Sequence, residues 1–398
     1  MADDIPTVLF GAFDRHNFGD LLFPHVVAAL LPGRQLIHAG LATRDLRPYG
    51  GHQVRAIAEL ATELRDQPLN IVHVGGELLT CDTWQAAIML QAPEQARHIV
   101  DQYDQLSDAR MAWAQAMLGV QAQAPYCVGR ELFPRANRVV YCAVGGVELA
   151  GRSPAMRSEV LAKLRSADMV SVRDEVTQGH LAAAIKATLQ PDPAVMVEAL
   201  CGEEIKRHAH RGEVARVRAA FPQGYLAVQL SADFGDDQTL GIIAAQLDAA
   251  AHAADLAIVL FRAGAAPWHD DLDCYRRLAK KMHAPAVWLF TSLHLWDICA
   301  LIAHSRGYCG SSLHGRIVAM AYGLPRLNVH HPLQEGHVTK QDAYCATWEL
   351  FGVPTVAAAT EITEQFIRAM QVDVSLLQDH RTELVHQFRQ AFAASVAA

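Results

Sequence analysis

Short apolar runs rich in β-branched residues alternate along this chain with longer segments of amphipathic helical pattern. That alternation is typical of a parallel sheet with helices on both faces. Apolar runs without polar alternation indicate strands buried on both sides. The predicted strands are Thr7–Gly11, Gln35–His38, Ile71–Val74, Arg138–Val144, Met169–Val172 and Ala187–Leu189, then Tyr225–Leu230, Leu256–Phe261, Ala286–Phe290, Gly307–Cys309 and Arg326–Val329.

A strongly charged stretch over residues 203–213 separates the two sets of strands. The 398 residues are many for one hydrophobic core, so two domains are expected. We predict an α/β domain over residues 1–205, a second over 215–360, and a helical tail over 361–398 that packs across both. Ligands of doubly wound sheets bind at the carboxyl ends of the strands, which predicts a cleft where two such domains face each other.

Composition excludes several classes of protein. A net charge of −8 argues against general nucleic-acid binding, which needs a basic surface. The first residues lack signal-peptide features, and no apolar run approaches the roughly 18 residues typical of a membrane span. Eight cysteines without a C-x-x-C pair are typical of a reduced interior, so we predict a cytoplasmic location. His208 and His210 lack partners at metal-ligand spacing, and we expect neither metal nor cofactor.

The segment Gly310-Ser311-Ser312-Leu313-His314-Gly315-Arg316 follows a predicted strand and begins a helix. Backbone N–H groups at a helix start bind anions, so Ser311 and Ser312 are predicted to bind an anionic substrate. His314 can exchange a proton near neutral pH, and Arg316 lies one turn from Ser312. The structural alternative is that His314 belongs to the core.

The loop after the first predicted strand carries four candidate binding residues: Asp14, Asn17, Gly19 and Asp20. Glycine lets such a loop approach a ligand closely, while Asn17 and Asp20 are also able to cap the next helix. The sequence leaves two roles open for this loop: it binds a ligand, or it is only a tight connection between the strand and the helix. Because G-x-G-x-x-G is missing, a dinucleotide site is not expected.

Polar residues also follow three other strands. Gly75 and Gly76 expose backbone N–H groups, and Glu77 beside them is a candidate base or ligand. Arg173 ends a buried strand and is predicted to point into the cleft, the alternative being a surface pair with Asp174. In the loop after Phe261, we expect Asp270 to cap the following helix.

Taken in order, these pieces resemble the polysaccharide pyruvyl transferase family. The matching segments are Asn17–Asp20, Gly75–Leu79, Ser171–Asp174, Pro191–Pro193, Gly310–Gly315 and Tyr322–Pro325, within about residues 7 to 345. The resemblance implies two doubly wound Rossmann-like domains facing across a cleft, as in GT-B glycosyltransferases, with a helical tail. Its activity would be transfer of pyruvate from phosphoenolpyruvate to sugar hydroxyls, usually as a ketal.

The sequence departs from the family at one position. Many members have Arg-Leu-His where this chain has Ser312-Leu313-His314, and that arginine helps to bind the donor. We expect Arg316 to replace it from the same helix face, because helical side chains lean toward the N-terminus.

The resemblance also implies roles for the candidate residues. Phosphoenolpyruvate carries a carboxylate and a phosphate, for which we expect Arg173 and Arg316 as cations. His314 is the expected general acid, and the expected base is a carboxylate of the first domain: Asp14, Asp20 or Glu77. The expected partners are phosphoenolpyruvate, as donor substrate, and a sugar or glycan-precursor acceptor of exopolysaccharide or cell-envelope synthesis. A lipid-linked acceptor would be met at the cytoplasmic membrane face, and the oligomeric state is left open.

Two other functions fit the same pattern. One is a GT-B glycosyltransferase that uses a nucleotide sugar, with Glu335 as the acidic donor ligand. The other is a non-catalytic binding member of the family, which Ser312 in the donor motif keeps open. A preference for a nucleotide sugar over phosphoenolpyruvate would favour the glycosyltransferase. Binding of phosphoenolpyruvate without phosphate release would favour the non-catalytic member.

Overall fold

The computed structural model describes residues 5–103, 106–284, 286–334 and 336–397; Glu335, named above as a possible donor ligand, lies outside them. The chain divides into two compact units, Met1–Pro193 with Gln387–Ala398, and Ala194–His386. Among the described helices, none is both long and apolar enough to cross a membrane.

The first unit is built on a sheet that has eight strands in the described residues. They are β1 Thr7–Phe10, β2 Leu36–Gly40, β3 Arg44–Asp45, β4 Gln53–Ala56, β5 Leu69–His73, β6 Ala136–Val144, β7 Met169–Val172 and β8 Thr188–Leu189. Their order is β3-β4-β2-β1-β5-β6-β7-β8, and the β3–β4 pair is antiparallel while the other pairs are parallel. The direction of winding reverses between β1 and β5, which makes that gap the switch point of the sheet.

Helices cover this sheet. They are α1 Phe18–Ala29, α2 Ile57–Glu63, α3 Thr83–Met89, α4 Pro93–Tyr103, α5 Ser107–Leu118, α6 Pro154–Arg165 and α7 Glu175–Leu181. The sequence shows no readable motif over residues 91–134, where α4 and α5 lie. Helix α4 is amphipathic, with Ala96 and Ile99 on its buried side, whereas the apolar period of α5 is weak.

The second unit has a six-stranded sheet in the described residues. Its strands are β9 Tyr225–Gln229, β10 Ala257–Leu260, β11 Val287–Leu289, β12 Gly307–Gly310, β13 Arg326–His330 and β14 Val356–Ala358. All pairs are parallel, in the order β11-β10-β9-β12-β13-β14. This is the order of the Rossmann fold, and its switch point lies between β9 and β12.

The second unit begins earlier than the sequence predicts, and two further helices precede its first strand. The helices of the second half are α8 Val197–Ala209, α9 Gly212–Ala220, α10 Asp237–Ala254, α11 Leu272–Lys281, α12 Leu295–Ala303, α13 Leu313–Ala321, α14 Lys340–Trp348, α15 Ile362–Met370 and α16 Val374–Ala397. The units divide at Pro193, whereas the predicted boundary lay over residues 205–215. The charged stretch is part of α8 and α9, where Ile205 and His208 are buried while Lys206 is exposed. The charged residues on the exposed faces of α8 and α9 therefore gave this segment the composition of a linker.

The carboxyl-terminal residues are helical, as predicted. Helix α15 packs against α10 and β13 within the second unit. Helix α16 begins in the second unit, and its residues from Gln387 onward belong to the first.

Candidate functional site

The candidate residues lie at the carboxyl edges of the two sheets, which are described separately. In the first unit, Asp14 and Asp20 follow β1, Glu77 follows β5, and Arg173 follows β7. The loops after β1 and β5 flank the switch point of that sheet. Sheet topology thus puts the predicted residues where ligands of such folds bind.

Asp14 is buried and has a structural role. Its Oδ2 accepts a hydrogen bond from the backbone N of Leu41 at 2.5 Å, and its Oδ1 accepts one from the Tyr126 hydroxyl at 2.9 Å. Burial raises the pKa of the Asp14 carboxyl. Because both oxygens bond to protein, the structure contradicts the prediction that Asp14 contacts a substrate.

Helix α1 is capped by Asn17, which answers the question that the sequence left open. The Asn17 Oδ1 accepts a hydrogen bond from the Gly19 N–H at 3.1 Å, so that both residues serve the helix start. Asp20 follows in the first turn with its side chain about one-tenth exposed. Within the described residues, its carboxylate has no hydrogen bond to protein and one charged neighbour, Arg15, at 3.9 Å.

Arg15 is a residue of this edge that the sequence analysis did not select. Its Nη1 donates to the Tyr126 hydroxyl at 2.5 Å, and its guanidinium lies 5.2 Å from the centre of the Tyr126 ring. The tyrosine therefore links Arg15 to Asp14 and holds the guanidinium beside Asp20. The sequence could have indicated Arg15 by its charge and by its position in the loop, two residues before Asn17.

Gly75 and Gly76 have φ angles of +116° and +96°, a backbone region that favours glycine. A Cβ on Gly75 would also be crowded, at 3.2 Å from Pro193, while one on Gly76 would lie in contact with Asp20 Oδ1 at 3.4 Å. The Gly76 carbonyl accepts a hydrogen bond from Gly145 N–H at 2.8 Å. These glycines let the β5 loop pass close to the Asp20 carboxylate.

The buried Arg173 forms an ion pair with Glu77, whose side chain is partly exposed. Arg173 Nη2 lies 2.6 Å from Glu77 Oε2, and its Nη1 lies 3.1 Å from Asp192 Oδ2. Glu77 also accepts hydrogen bonds from Val147 N–H at 3.0 Å and from the Thr80 hydroxyl at 3.3 Å. The structure places Arg173 at the strand end, as predicted, but between two carboxylates that neutralise its charge.

Asp174 does not form the alternative surface pair with Arg173. Its Oδ1 accepts a hydrogen bond from Thr177 N–H at 2.7 Å and so caps α7. Burial raises the pKa of the Asp174 carboxyl.

In the second unit, Ser311 and Ser312 organise the start of α13. Ser312 caps the helix, its Oγ accepting from Gly315 N–H at 3.2 Å. Ser311 Oγ accepts from Ser231 N–H at 2.8 Å and thereby links the loops after β9 and β12 at the switch point. His314 lies in the first helical turn and is 8% exposed. Both hydroxyls thus serve the fold of the predicted anion site.

Arg316 is completely buried in an ion-pair network. Its Nε and Nη2 donate to Glu349 Oε2 at 3.0 and 2.5 Å, and its Nη1 donates to the Thr355 carbonyl at 2.7 Å. Arg326 Nε donates to the same Glu349 oxygen at 3.0 Å. Burial alone would raise the pKa of Glu349, but the two guanidinium groups lower it to about 2.

This network contradicts the prediction that Arg316 replaces the missing donor-binding arginine. Position 316 lies one turn inside the helix, on a face packed against the protein interior. A guanidinium buried there needs a carboxylate partner, which Glu349 supplies.

Two further residues at this edge carry donors without protein acceptors. Arg262 follows β10 by one residue, and its buried Nε has no hydrogen-bond partner in the described part of the chain. His331 directly follows β13, and its buried Nε2 likewise has none there. Their positions just past predicted strands were the signal that could have found them.

Asp270 does not cap α11 as predicted, since its neighbour Asp271 does so by accepting from Asp273 N–H at 2.8 Å. Asp270 instead accepts from Ala263 N–H at 2.6 Å and from Gln229 Nε2 at 2.9 Å. Burial raises its pKa to about 7. It thereby fixes the Gln229 side chain, whose Oε1 lies 3.4 Å from Ser311 Oγ.

One cluster in the described residues has the composition of a metal site: His208, His294 and Asp297. His208 Nδ1 lies 2.5 Å from Asp297 Oδ1, and the two imidazole rings stack with centroids 4.7 Å apart and planes 24° apart. Stacked rings direct their in-plane nitrogen lone pairs side by side rather than at a common point. The cluster therefore fits a hydrogen-bonded contact between α8 and α12 better than a metal centre.

Comparisons with known proteins agree with this geometry. The model of a family described as polysaccharide pyruvyl transferase matches residues 126–329, just over half of the chain. That range contains Arg173 and the whole segment from Gly310 to Arg316. A search of curated proteins with the sequence gives no match.

Solved structures share the architecture. UDP-GlcNAc 2-epimerase from Neisseria meningitidis, bound to UDP-GlcNAc, is 11% identical with a TM-score of 0.55, covering 99% of each chain. The UDP-GlcNAc 2-epimerase of Methanocaldococcus jannaschii is 11% identical with a TM-score of 0.53, covering 93% of this chain and 92% of its own. At such identity the likeness shows the fold alone. The predicted class, two Rossmann-like α/β domains of GT-B type with a carboxyl-terminal helix, is confirmed.

Proposed function

This chain belongs to the polysaccharide pyruvyl transferase family, and we propose that it transfers the pyruvyl group of phosphoenolpyruvate to hydroxyls of a sugar or glycan precursor. The product would be a ketal, with release of phosphate. The observation that carries the proposal is the position of His314, which lies inside the matched range and in the first turn of a helix that begins at the switch point.

The second unit is the proposed donor side. Helix α13 has nine residues, and its N-terminus has a partial positive charge that favours an anionic ligand. His314 would give its proton to the methylene carbon of phosphoenolpyruvate, which becomes the methyl group and leaves the central carbon electrophilic. One sugar hydroxyl then adds to that carbon, and a second hydroxyl displaces phosphate and closes the ketal.

The first unit is the proposed acceptor side, and Asp20 is the proposed base. Asp14 has both oxygens bonded to protein, and Glu77 is held by Arg173, Val147 and Thr80. Asp20 is buried, with its side chain one-tenth exposed, and its carboxylate accepts no hydrogen bond within the described residues. Its carboxylate is therefore the one best able to accept the proton of an acceptor hydroxyl.

The first experiment is calorimetric titration of the purified protein with phosphoenolpyruvate, beside a panel of nucleotide sugars. We expect saturable binding of phosphoenolpyruvate. Phosphate release is then measured with a panel of methyl glycosides as acceptors. His314→Gln should lower turnover about 100- to 10,000-fold while phosphoenolpyruvate still binds. The matched control is His283→Gln, a side chain 91% exposed in the same unit, which should leave both unchanged.

Other outcomes would redirect the assignment. Binding of a nucleotide sugar in place of phosphoenolpyruvate would move the chain to the glycosyltransferases. Phosphoenolpyruvate binding without phosphate release from any acceptor would favour a binding protein. Full turnover in His314→Gln would remove His314 as the acid.

A further inference from the structure

A donor with a carboxylate and a phosphate needs more positive charge than the second unit's anion site obtains from the predicted residues. The N-terminus of α13 is equivalent to only about half an elementary charge. Arg316 and Arg326 share the single carboxylate of Glu349, and both side chains are completely buried with their N–H groups bonded to protein oxygens. A cation that is not engaged with protein carboxylates is needed at the same edge.

Arg262 is a cation that meets this requirement. It follows β10, which pairs with β9, one of the two strands at the switch point. Its side chain is partly exposed, and within the described residues it has no ion-pair partner. Asp270 lies in the same loop, yet its oxygens accept from Ala263, Gln229 and Tyr275 rather than from Arg262.

The Nε–H group of Arg262 points more specifically to a ligand. The atom is buried and has no acceptor among the described residues. A buried donor without an acceptor is rare in folded proteins and destabilises them by about 1–3 kcal/mol. Such a donor at a ligand-binding edge indicates an acceptor atom that arrives with the ligand.

His331 presents a second donor of the same kind on the other side of β12. Its Nδ1 accepts a hydrogen bond from Leu333 N–H at 3.1 Å, so the proton of the neutral ring is on Nε2. That Nε2 is buried without an acceptor among the described residues, and the residue as a whole is 7% exposed.

The loops that carry Arg262 and His331 are joined to each other and to the start of α13 through the loop after β9. Ala232 N–H donates to the His269 carbonyl at 2.7 Å, which joins the loops after β9 and β10. The Phe234 ring meets the His331 ring edge-on at 5.2 Å, which joins the loops after β9 and β13. Ser231 and Ser311 connect the same β9 loop to the start of α13. Arg262, His331 and the α13 N-terminus thus border one region of the second unit.

We propose that Arg262 and His331 bind the anionic groups of the donor, and that Arg262 replaces the arginine which many family members have at the position of Ser312. This inference rests on the proposed function, because it assumes that the second unit binds phosphoenolpyruvate. Arg262 supplies the full charge, and His331 supplies a directed N–H.

The test is calorimetric titration of the full chain with phosphoenolpyruvate. Arg262→Gln should weaken binding about 10- to 100-fold, as expected for loss of a charged hydrogen-bond donor, and Arg262→Lys should recover part of it. His331→Phe, which keeps the ring volume and removes the N–H, should weaken binding about fivefold or more. Arg276→Gln is the matched control on the exposed side of α11 and should bind like the unaltered protein.

The outcomes separate this inference from the proposed function. If the unaltered protein binds phosphoenolpyruvate and Arg262→Gln binds it equally well, the inference is wrong while the proposed function stands. If the unaltered protein does not bind it, the proposed function fails and the inference fails with it. Circular dichroism checks that each variant is folded, and Arg262→Lys carries the test should the glutamine variant not fold.

Discussion

The two sheets each have a switch point beside the first strand of their unit, and the side chains at these two carboxyl edges differ. Around the switch point of the first unit, carboxylates outnumber cations, the members being Asp14, Asp20, Glu77 and Asp192 with Arg15 and Arg173. Around that of the second unit lie the N–H groups of His314, His331, Arg262 and the start of α13, with Asp270 as a buried carboxyl among them. Sheet order therefore decides where a ligand binds, and the side chains decide which ligand. Carboxylates suit hydroxyl groups, whereas N–H donors suit anions.

The same contrast appears between two arginines of the second unit. Arg316 is inside a helix, completely buried, and shares the Glu349 carboxylate with Arg326. Arg262 is at a strand end, partly exposed, and has an Nε without an acceptor among the described residues. The buried Arg316 has a protein carboxylate as partner, as a buried charge requires, whereas the Arg262 Nε–H is left for the proposed ligand.

The largest expected effect comes from breaking the buried network of the second unit. Glu349→Gln leaves Arg316 and Arg326 without their counter-charge, so we expect a loss of about 3–5 kcal/mol in the free energy of unfolding. Urea unfolding measures it. Glu364→Gln, on the exposed face of α15, is the control and should change stability by less than about 0.5 kcal/mol. A loss below about 1 kcal/mol for Glu349→Gln would reopen Arg316 as a donor ligand.

A smaller effect is expected from displacing the Glu77–Arg173 ion pair of the first unit. A Cβ on Gly145 would lie 2.3 Å from Glu77 Oε2 and 2.8 Å from Arg173 Nε, so Gly145→Ala must displace the ion pair. We expect a loss of about 1–3 kcal/mol, measured by urea unfolding. Gly179→Ala is the matched control in α7, where a Cβ would meet nothing within 4 Å, and should be neutral or stabilising by up to about 1 kcal/mol. Equal effects of the two substitutions would show that the ion pair is easily displaced.

The smallest expected effect is a pair of opposite pH dependences, illustrated by two histidines of the first unit and one carboxyl of the second. In the first unit, burial lowers the pKa of His38 to about 4 and that of His52 to about 3. The unfolded chain takes up these protons first, so the two histidines contribute stability that is lost as the pH falls from about 6.5. In the second unit, the raised pKa of Asp270, about 7, has the opposite sign. Its contribution is complete below about pH 4 and is lost as the pH rises to 7.

Urea unfolding across pH 4.5 to 7 measures how the free energy of unfolding changes with pH through the histidines and Asp270. Glu349, with its pKa near 2, changes that free energy only below this range. His52→Gln should flatten the loss on the acid side, while Asp270→Asn should remove the loss toward neutral pH. Identical pH profiles for the two variants and the unaltered protein would contradict both assignments.

The sequence by itself predicted the α/β class, the longer strands and the residues just past their ends. Each of these is a local property, since an apolar run of strand length records burial on both faces whatever its neighbours are. The short strands β3, β4 and β14 were missed because their assignment depends on pairing with a neighbouring strand rather than on their own composition. The domain boundary was misplaced because the exposed face of α8 is as charged as a linker.

Only the tertiary structure decided what the arginines do. Arg173 meets Glu77, 96 positions away, and Arg316 meets Glu349, 33 positions away, so no local pattern reveals that they are paired with carboxylates. Arg262 has no such partner among the described residues, which is equally invisible in the sequence. An ion pair depends on distance in space, and the low dielectric of the interior makes that pairing decisive for whether a charge is available to a ligand.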